Sequence, residues 1–93
     1  DTRLLICDAG VGDHLMLKAV WNDIRRKNPN TKYTLALCYP EVFTDVSDIN
    51  IISIADAKLI VGDKYDQYSL YRWCWERNWN RPMPEAMKEF YGS

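Results

Sequence analysis

Residues 8–14, Asp8-Ala9-Gly10-Val11-Gly12-Asp13-His14, join an apolar run to a helical pattern. The run before them is Leu4-Leu5-Ile6-Cys7, and apolar side chains recur at helical spacing after them. Strand, glycine turn and helix in this order begin a βαβ unit of a parallel sheet. One glycine is expected to take a positive φ for a tight reversal, and the other to leave room for backbone N–H groups or a ligand. The turn then lies at the carboxyl edge of the sheet, where ligands bind in open α/β proteins.

The same alternation of strands and helices continues to residue 61. A helix over residues 12–27 is predicted from one apolar face, which consists of Met16, Leu17, Val20, Trp21 and Ile24. Strands are predicted at residues 3–7, 33–38 and 49–54, with a single helical turn at 42–43 and a short helix at 58–61. Right-handed crossovers then predict an α/β fold, a Rossmann-like three-layer half with a small parallel sheet in the order 3-2-1.

From residue 62 onward the sequence is helical in pattern and rich in aromatic residues. A first helix is predicted to place Leu70, Tyr71, Cys74 and Trp75 on one face. A final helix begins near Pro84 and ends at Gly92, and its apolar stripe is Met83, Ala86, Met87, Phe90 and Tyr91. This stripe predicts packing on the sheet or the preceding helix, and contact with a second lobe or another copy of the chain is the alternative. We expect one domain over residues 1–93, with a sheet region at 1–61 and a helical part at 62–93.

Composition excludes several classes of function. The net charge is −1, so the chain has no basic field for nucleic acid or an anionic membrane. No apolar run approaches the roughly 20 residues of a membrane span, and no signal peptide is visible. The three cysteines are an odd number without a C-x-x-C pair, which predicts buried free thiols in a reducing compartment and hence a cytoplasmic protein.

The glycine turn matches no complete cofactor motif. Gly10 and Gly12 form G-x-G, but Leu15 stands at the third glycine position of the dinucleotide fingerprint, and no acidic residue ends the second strand. The sequence contains no G-K-[ST] of a P-loop and no G-x-S-x-G elbow, and His14 is its one histidine. We therefore expect neither a bound cofactor nor a metal ion.

The turn retains one carboxylate and one imidazole at the start of the first helix. Asp13 can cap the free N–H groups there, where the helix dipole favours its charge. The same carboxylate can serve as a general base that takes a proton from a hydroxyl group. His14 is expected to be solvated or to cap the helix, and a catalytic role is its alternative. The residues alone leave both alternatives open.

The first half of the chain resembles the opening of heptosyltransferase-type glycosyltransferases, the ADP-heptose:lipopolysaccharide family. The shared features are the apolar strand, the G-x-G-D turn at residues 10–13, the short apolar helix, the helix end Ile24-Arg-Arg-Lys-Asn-Pro29 and the second apolar strand from Tyr33. The resemblance covers residues 1–54 and continues more loosely into residues 71–79 and 85–92. Ala19 departs from the family, which often has proline at that place.

The resemblance implies a GT-B fold, in which two Rossmann-like lobes enclose the active site. The N-terminal lobe holds the sugar or glycolipid acceptor, and the C-terminal lobe binds the nucleotide-sugar donor. Asp13 matches the family's proposed base, and Gly10, Val11 and Gly12 would shape the turn and offer N–H groups. His14 stands beside the base without a role that the resemblance implies, and we take it with the three turn residues as a substrate-binding candidate. Ninety-three residues are too few for both lobes, so we expect an acceptor-side lobe that is inactive alone. The alternative is a stand-alone Rossmann-like module that binds a phosphate-bearing small molecule or a protein partner.

Overall fold

The computed structural model of the chain describes residues 1–92. Within these residues, three strands are present, β1 (Thr2–Cys7), β2 (Lys32–Leu37) and β3 (Ile49–Ile52). Four α-helices accompany them in the same range, α1 (Val11–Lys27), α2 (Ile54–Val61), α3 (Leu70–Glu76) and α4 (Met83–Gly92). Two 3₁₀ segments, Pro40–Phe43 and Gly62–Tyr68, lie between these elements. Each strand and helix predicted from the sequence is confirmed. Two boundaries differ, since β3 ends earlier than predicted and α2 begins earlier. The cause is Ser53, which caps α2 by accepting the N–H of Asp56.

The strands form a parallel sheet in the order β1-β2-β3, which is the predicted order 3-2-1 read from the other edge. Leu5 lies beside Leu35, and Leu35 lies beside Ile51. All three carboxyl ends therefore meet at one edge of the sheet, and the turns after the strands are neighbours in space.

The larger core lies between the sheet and helices α1, α3 and α4. Helix α1 buries Leu17, Val20, Trp21 and Ile24, as the helical spacing predicts, and Met16 is partly buried. Helix α4 packs mainly on α1 and buries Ala86, Met87 and Tyr91. The Tyr91 hydroxyl donates to the carbonyl of Ile6 in β1 at 3.0 Å. Core packing of the α4 stripe is thus confirmed.

The opposite face of the sheet is covered by α2 and the Gly62–Tyr68 segment. Ile6 and Ala36 of the sheet are buried there against Ala57 of α2. Gly62 ends α2 with a φ of +58°, a conformation that glycine adopts without a steric penalty. The chain then crosses toward the carboxyl end of β1. Helices on both faces of the sheet give the three layers that the sequence predicts.

Two expectations about α3 and the cysteines are wrong. In α3, Leu70 and Cys74 are buried, but Tyr71 and Trp75 are 49% and 80% exposed. Only one narrow face of this seven-residue helix packs on the core. Tyr71 and Trp75 each follow a buried residue by one position, and one position rotates a side chain by about 100° around the helix, which turns both toward solvent. Cys38 is exposed, in contrast to Cys7 and Cys74, because it lies one residue past the paired part of β2. No helix of residues 1–92 is long and apolar enough to span a membrane.

Candidate functional site

The turn between β1 and α1 is made without a positive φ. Gly10 precedes the helix with φ −74° and ψ 172°, an extended conformation that other residues also adopt, and Gly12 lies within α1. The expectation of a left-handed glycine at this turn is therefore wrong, since the chain enters the helix directly from an extended residue. A Cβ atom at Gly12 would meet no heavy atom within 4 Å, so this position leaves open space next to the first turn of the helix.

Asp13 caps the helix and also contacts the aromatic part of the chain. Its Oδ2 atom accepts the N–H of Gly10 at 3.2 Å, which confirms the capping role. Its Oδ1 atom accepts a hydrogen bond from the Tyr71 hydroxyl. The pKa of Tyr71 is raised to about 12, first by this hydrogen bond to Asp13 and then by burial. The phenol is therefore protonated at neutral pH and acts as the donor.

His14 is fully buried, which overturns the expectation of a solvated side chain. Its Nε2 atom accepts the N–H groups of Cys38 at 3.1 Å and Tyr39 at 3.2 Å. An atom that accepts two N–H groups carries no proton, so the proton is on Nδ1, which donates to the Gly10 carbonyl at 2.8 Å. The imidazole thereby links the turn after β1 to the residues that follow β2. Both ring nitrogens are occupied by the protein, and this geometry offers neither of them to a ligand.

A second carboxylate at this edge was not singled out from the sequence. Asp8 follows β1 directly, and its Oδ2 atom accepts the Tyr65 hydroxyl at 2.6 Å. Its Oδ1 atom accepts the Cys38 thiol at 3.4 Å. The hydrogen bond from Tyr65 is the main cause that lowers the pKa of Asp8. Burial and the same bond raise the pKa of Tyr65, so the phenol remains a donor.

Both carboxylates line one cleft of about 140 Å³ at the carboxyl end of β1. Ile6 and Cys7 of β1 contribute to its lining, and burial raises the pKa of the Cys7 thiol to about 12. The side opposite the turn comes from the chain between Tyr65 and Tyr71 and from Met87 and Tyr91 of α4. The structure thus brings Asp13 together with Asp8, Tyr65 and Tyr71 around one space.

The remaining predicted site residues lie outside the lining of this cleft. These are Gly10, Val11, Gly12 and His14. The first three form the start of α1 beside Asp13, and their contact with a substrate stays a prediction. Within residues 1–92, no group of three or more His, Cys, Asp or Glu side chains is placed to hold a metal ion.

Tyr65 and Tyr71 could not be assigned to the site from motifs, because they lie 57 and 58 residues from their carboxylate partners. Asp8 had a local signal, since it is the first polar residue after an apolar strand at a carboxyl edge. Comparison of the chain with known protein families, with curated proteins and with solved structures finds no match.

Proposed function

We propose that the chain is the acceptor-side lobe of a glycosyltransferase, with Asp13 as the general base. The observation that carries the proposal is the position of the Asp13 carboxylate, which lies at the start of α1 and lines a cleft at the carboxyl edge of the sheet. An acceptor hydroxyl in this cleft can come within the hydrogen-bond distance that proton transfer needs.

The surroundings of Asp13 support the role of a base. The helix dipole favours its negative charge, and the bonds from Gly10 and Tyr71 hold one carboxylate oxygen each. A carboxylate has about four acceptor positions, so two remain for an incoming hydroxyl. The side chain is therefore both oriented and able to accept a proton.

The reaction that follows is transfer of a glycosyl group. The acceptor hydroxyl gives its proton to Asp13 while its oxygen forms a bond to the anomeric carbon of the donor sugar. The bond from that carbon to the nucleotide diphosphate breaks, and the diphosphate leaves with the electron pair. Attack opposite the leaving group inverts the anomeric configuration. The donor requires a second Rossmann-like lobe, as the resemblance to heptosyltransferases implies.

The test is a transfer assay with Asp13→Asn in a protein that includes the donor-binding lobe. The asparagine amide has nearly the shape of the carboxylate, and its oxygen can still accept the N–H of Gly10, so the fold is kept while the base is removed. Transfer should fall by roughly 10²- to 10⁴-fold, the usual contribution of a general base. Asp23→Asn is the matched control, because Asp23 lies on the same helix and pairs with Arg26 at 3.4 Å. Undiminished transfer in Asp13→Asn would refute the proposal.

A further inference from the structure

The polar side chains around the cleft present mainly hydrogen-bond acceptors. Asp8 and Asp13 each accept two hydrogen bonds within the protein, which leaves about two acceptor positions on each carboxylate. Tyr65 and Tyr71 already donate their single hydroxyl protons to these carboxylates, so their oxygens remain as acceptors. A ligand that satisfies these four side chains must therefore supply donors, while the hydroxyl groups of Tyr68 and Ser69 in the same lining can each donate one hydrogen bond.

The charge of the cleft is negative. Its lining includes the carboxylates of Asp8, Asp13 and Asp66, and no lysine or arginine of the described chain is part of it. Asp66 is paired with Arg72 at 3.1 Å. Lys58 lies near the cleft without lining it, with Nζ 5.3 Å from the centre of the Tyr65 ring. Lys58 offsets part of the charge of Asp8 and helps to lower its pKa, but the carboxylates themselves line the cleft, and like charges at a partly enclosed site repel an entering anion.

The rest of the lining is aromatic and apolar. Tyr65, Tyr68, Tyr71 and Tyr91 contribute rings, and Ile6, Leu70 and Met87 contribute aliphatic surface. Apolar walls with a few convergent polar groups are typical of sites for small organic ligands. Here they suit a molecule that has both C–H surface and hydroxyl donors, such as a sugar ring.

We infer that the cleft selects an uncharged sugar ring and excludes rings that carry phosphate or carboxylate groups, with Asp8 and Tyr65 as the pair that sets this specificity. The inference rests on the proposed function, since the sugar is the acceptor whose hydroxyl loses its proton to Asp13. A second hydroxyl of the same ring donates to Asp8. Tyr65 holds the Asp8 carboxylate toward the cleft and keeps its charge, so that an anionic substituent is repelled.

The inference is tested by binding to the 93-residue chain, without any transfer reaction. Methyl glycosides of neutral hexoses and the 6-phosphates of the same hexoses are titrated while backbone amide shifts are followed by NMR. We expect the neutral glycosides to shift amides in residues 8–13 and 65–71. The phosphates should bind at least about tenfold more weakly, as expected for like charges brought together.

Asp8→Asn keeps the shape of the side chain and removes its charge. It should reduce the discrimination against the phosphates several-fold, and Tyr65→Phe should weaken binding of the neutral glycosides. Asp63→Asn is the matched control, because Asp63 lies in the same 3₁₀ segment as Tyr65 but outside the lining, and it should change neither affinity.

Three results would overturn the inference: equal or tighter binding of the phosphates, unchanged discrimination in Asp8→Asn, or no amide shift with any neutral glycoside. None of them decides the role of Asp13 as a base, which the transfer assay tests separately. Conversely, full transfer activity in Asp13→Asn would refute the proposed function and leave the binding preference measurable.

Discussion

Replacement of His14 by alanine should destabilise the fold strongly, although His14 lies beside the proposed site and not within its lining. The wild-type imidazole is fully buried and makes hydrogen bonds to Gly10, Cys38 and Tyr39. Alanine removes all of them at once. The N–H groups of Cys38 and Tyr39 lose their acceptor, and a cavity replaces the ring.

The magnitude follows from these contacts. An unsatisfied buried donor costs about 1–3 kcal/mol, and the lower end applies here because the bonds to Cys38 and Tyr39 are partly buried. Two such donors and the loss of a packed side chain together cost about 3–5 kcal/mol. A domain of this size has a free energy of unfolding of roughly 5–15 kcal/mol, so the substitution removes a large part of it.

Urea unfolding followed by circular dichroism measures this loss. With an m-value of about 1.5 kcal/mol per M, the midpoint should fall by about 2–3 M. His14→Gln should lose less, because its side-chain oxygen can replace Nε2 as the acceptor. Leu15→Ala is the control on the same helix, where a side chain that is 56% exposed should change stability by less than about 0.5 kcal/mol. A loss below about 1 kcal/mol for His14→Ala would refute the structural role assigned to the imidazole.

Three further outcomes are expected. Because the pKa of Tyr71 is raised to about 12 in the folded protein, its contribution to stability is present below pH 10 and is lost as the pH rises through about 12. Asp13→Asn should move the Tyr71 titration back toward its ordinary pKa, which ¹³C NMR of the tyrosine ring measures; an unchanged titration contradicts the Asp13–Tyr71 pairing. Tyr91→Phe should cost about 1–3 kcal/mol in urea unfolding, because the buried carbonyl of Ile6 loses its donor, and an unchanged midpoint contradicts this. Gly12→Ala should stabilise the free chain by up to about 1 kcal/mol, because the new Cβ contacts no heavy atom within 4 Å and alanine favours the helix. A lower urea midpoint for this variant would contradict the open space beside Gly12.

Local patterns in the sequence were sufficient for the elements of the fold and their order. The apolar run 4–7, the glycine turn and the spacing of Leu17, Trp21 and Ile24 identified β1, α1 and the buried face of that helix. These signals are reliable because periodicity along one element depends only on which side of that element faces the core. The place of Asp13 at the start of α1 followed from the same local information.

The environment of the site depended on contacts between distant parts of the chain. Asp8 meets Tyr65 and Asp13 meets Tyr71 because the chain after α2 crosses to the carboxyl end of β1. The hydrogen bonding of His14 likewise depends on Cys38, which lies 24 residues away and directly follows β2. The apolar pattern of a segment shows which of its faces must be buried. It does not show which other segment packs on that face, because many segments have a similar apolar pattern. The choice among them is made when the helices pack on the sheet, because only then do the hydroxyl, carboxylate and backbone N–H groups come within hydrogen-bond distance.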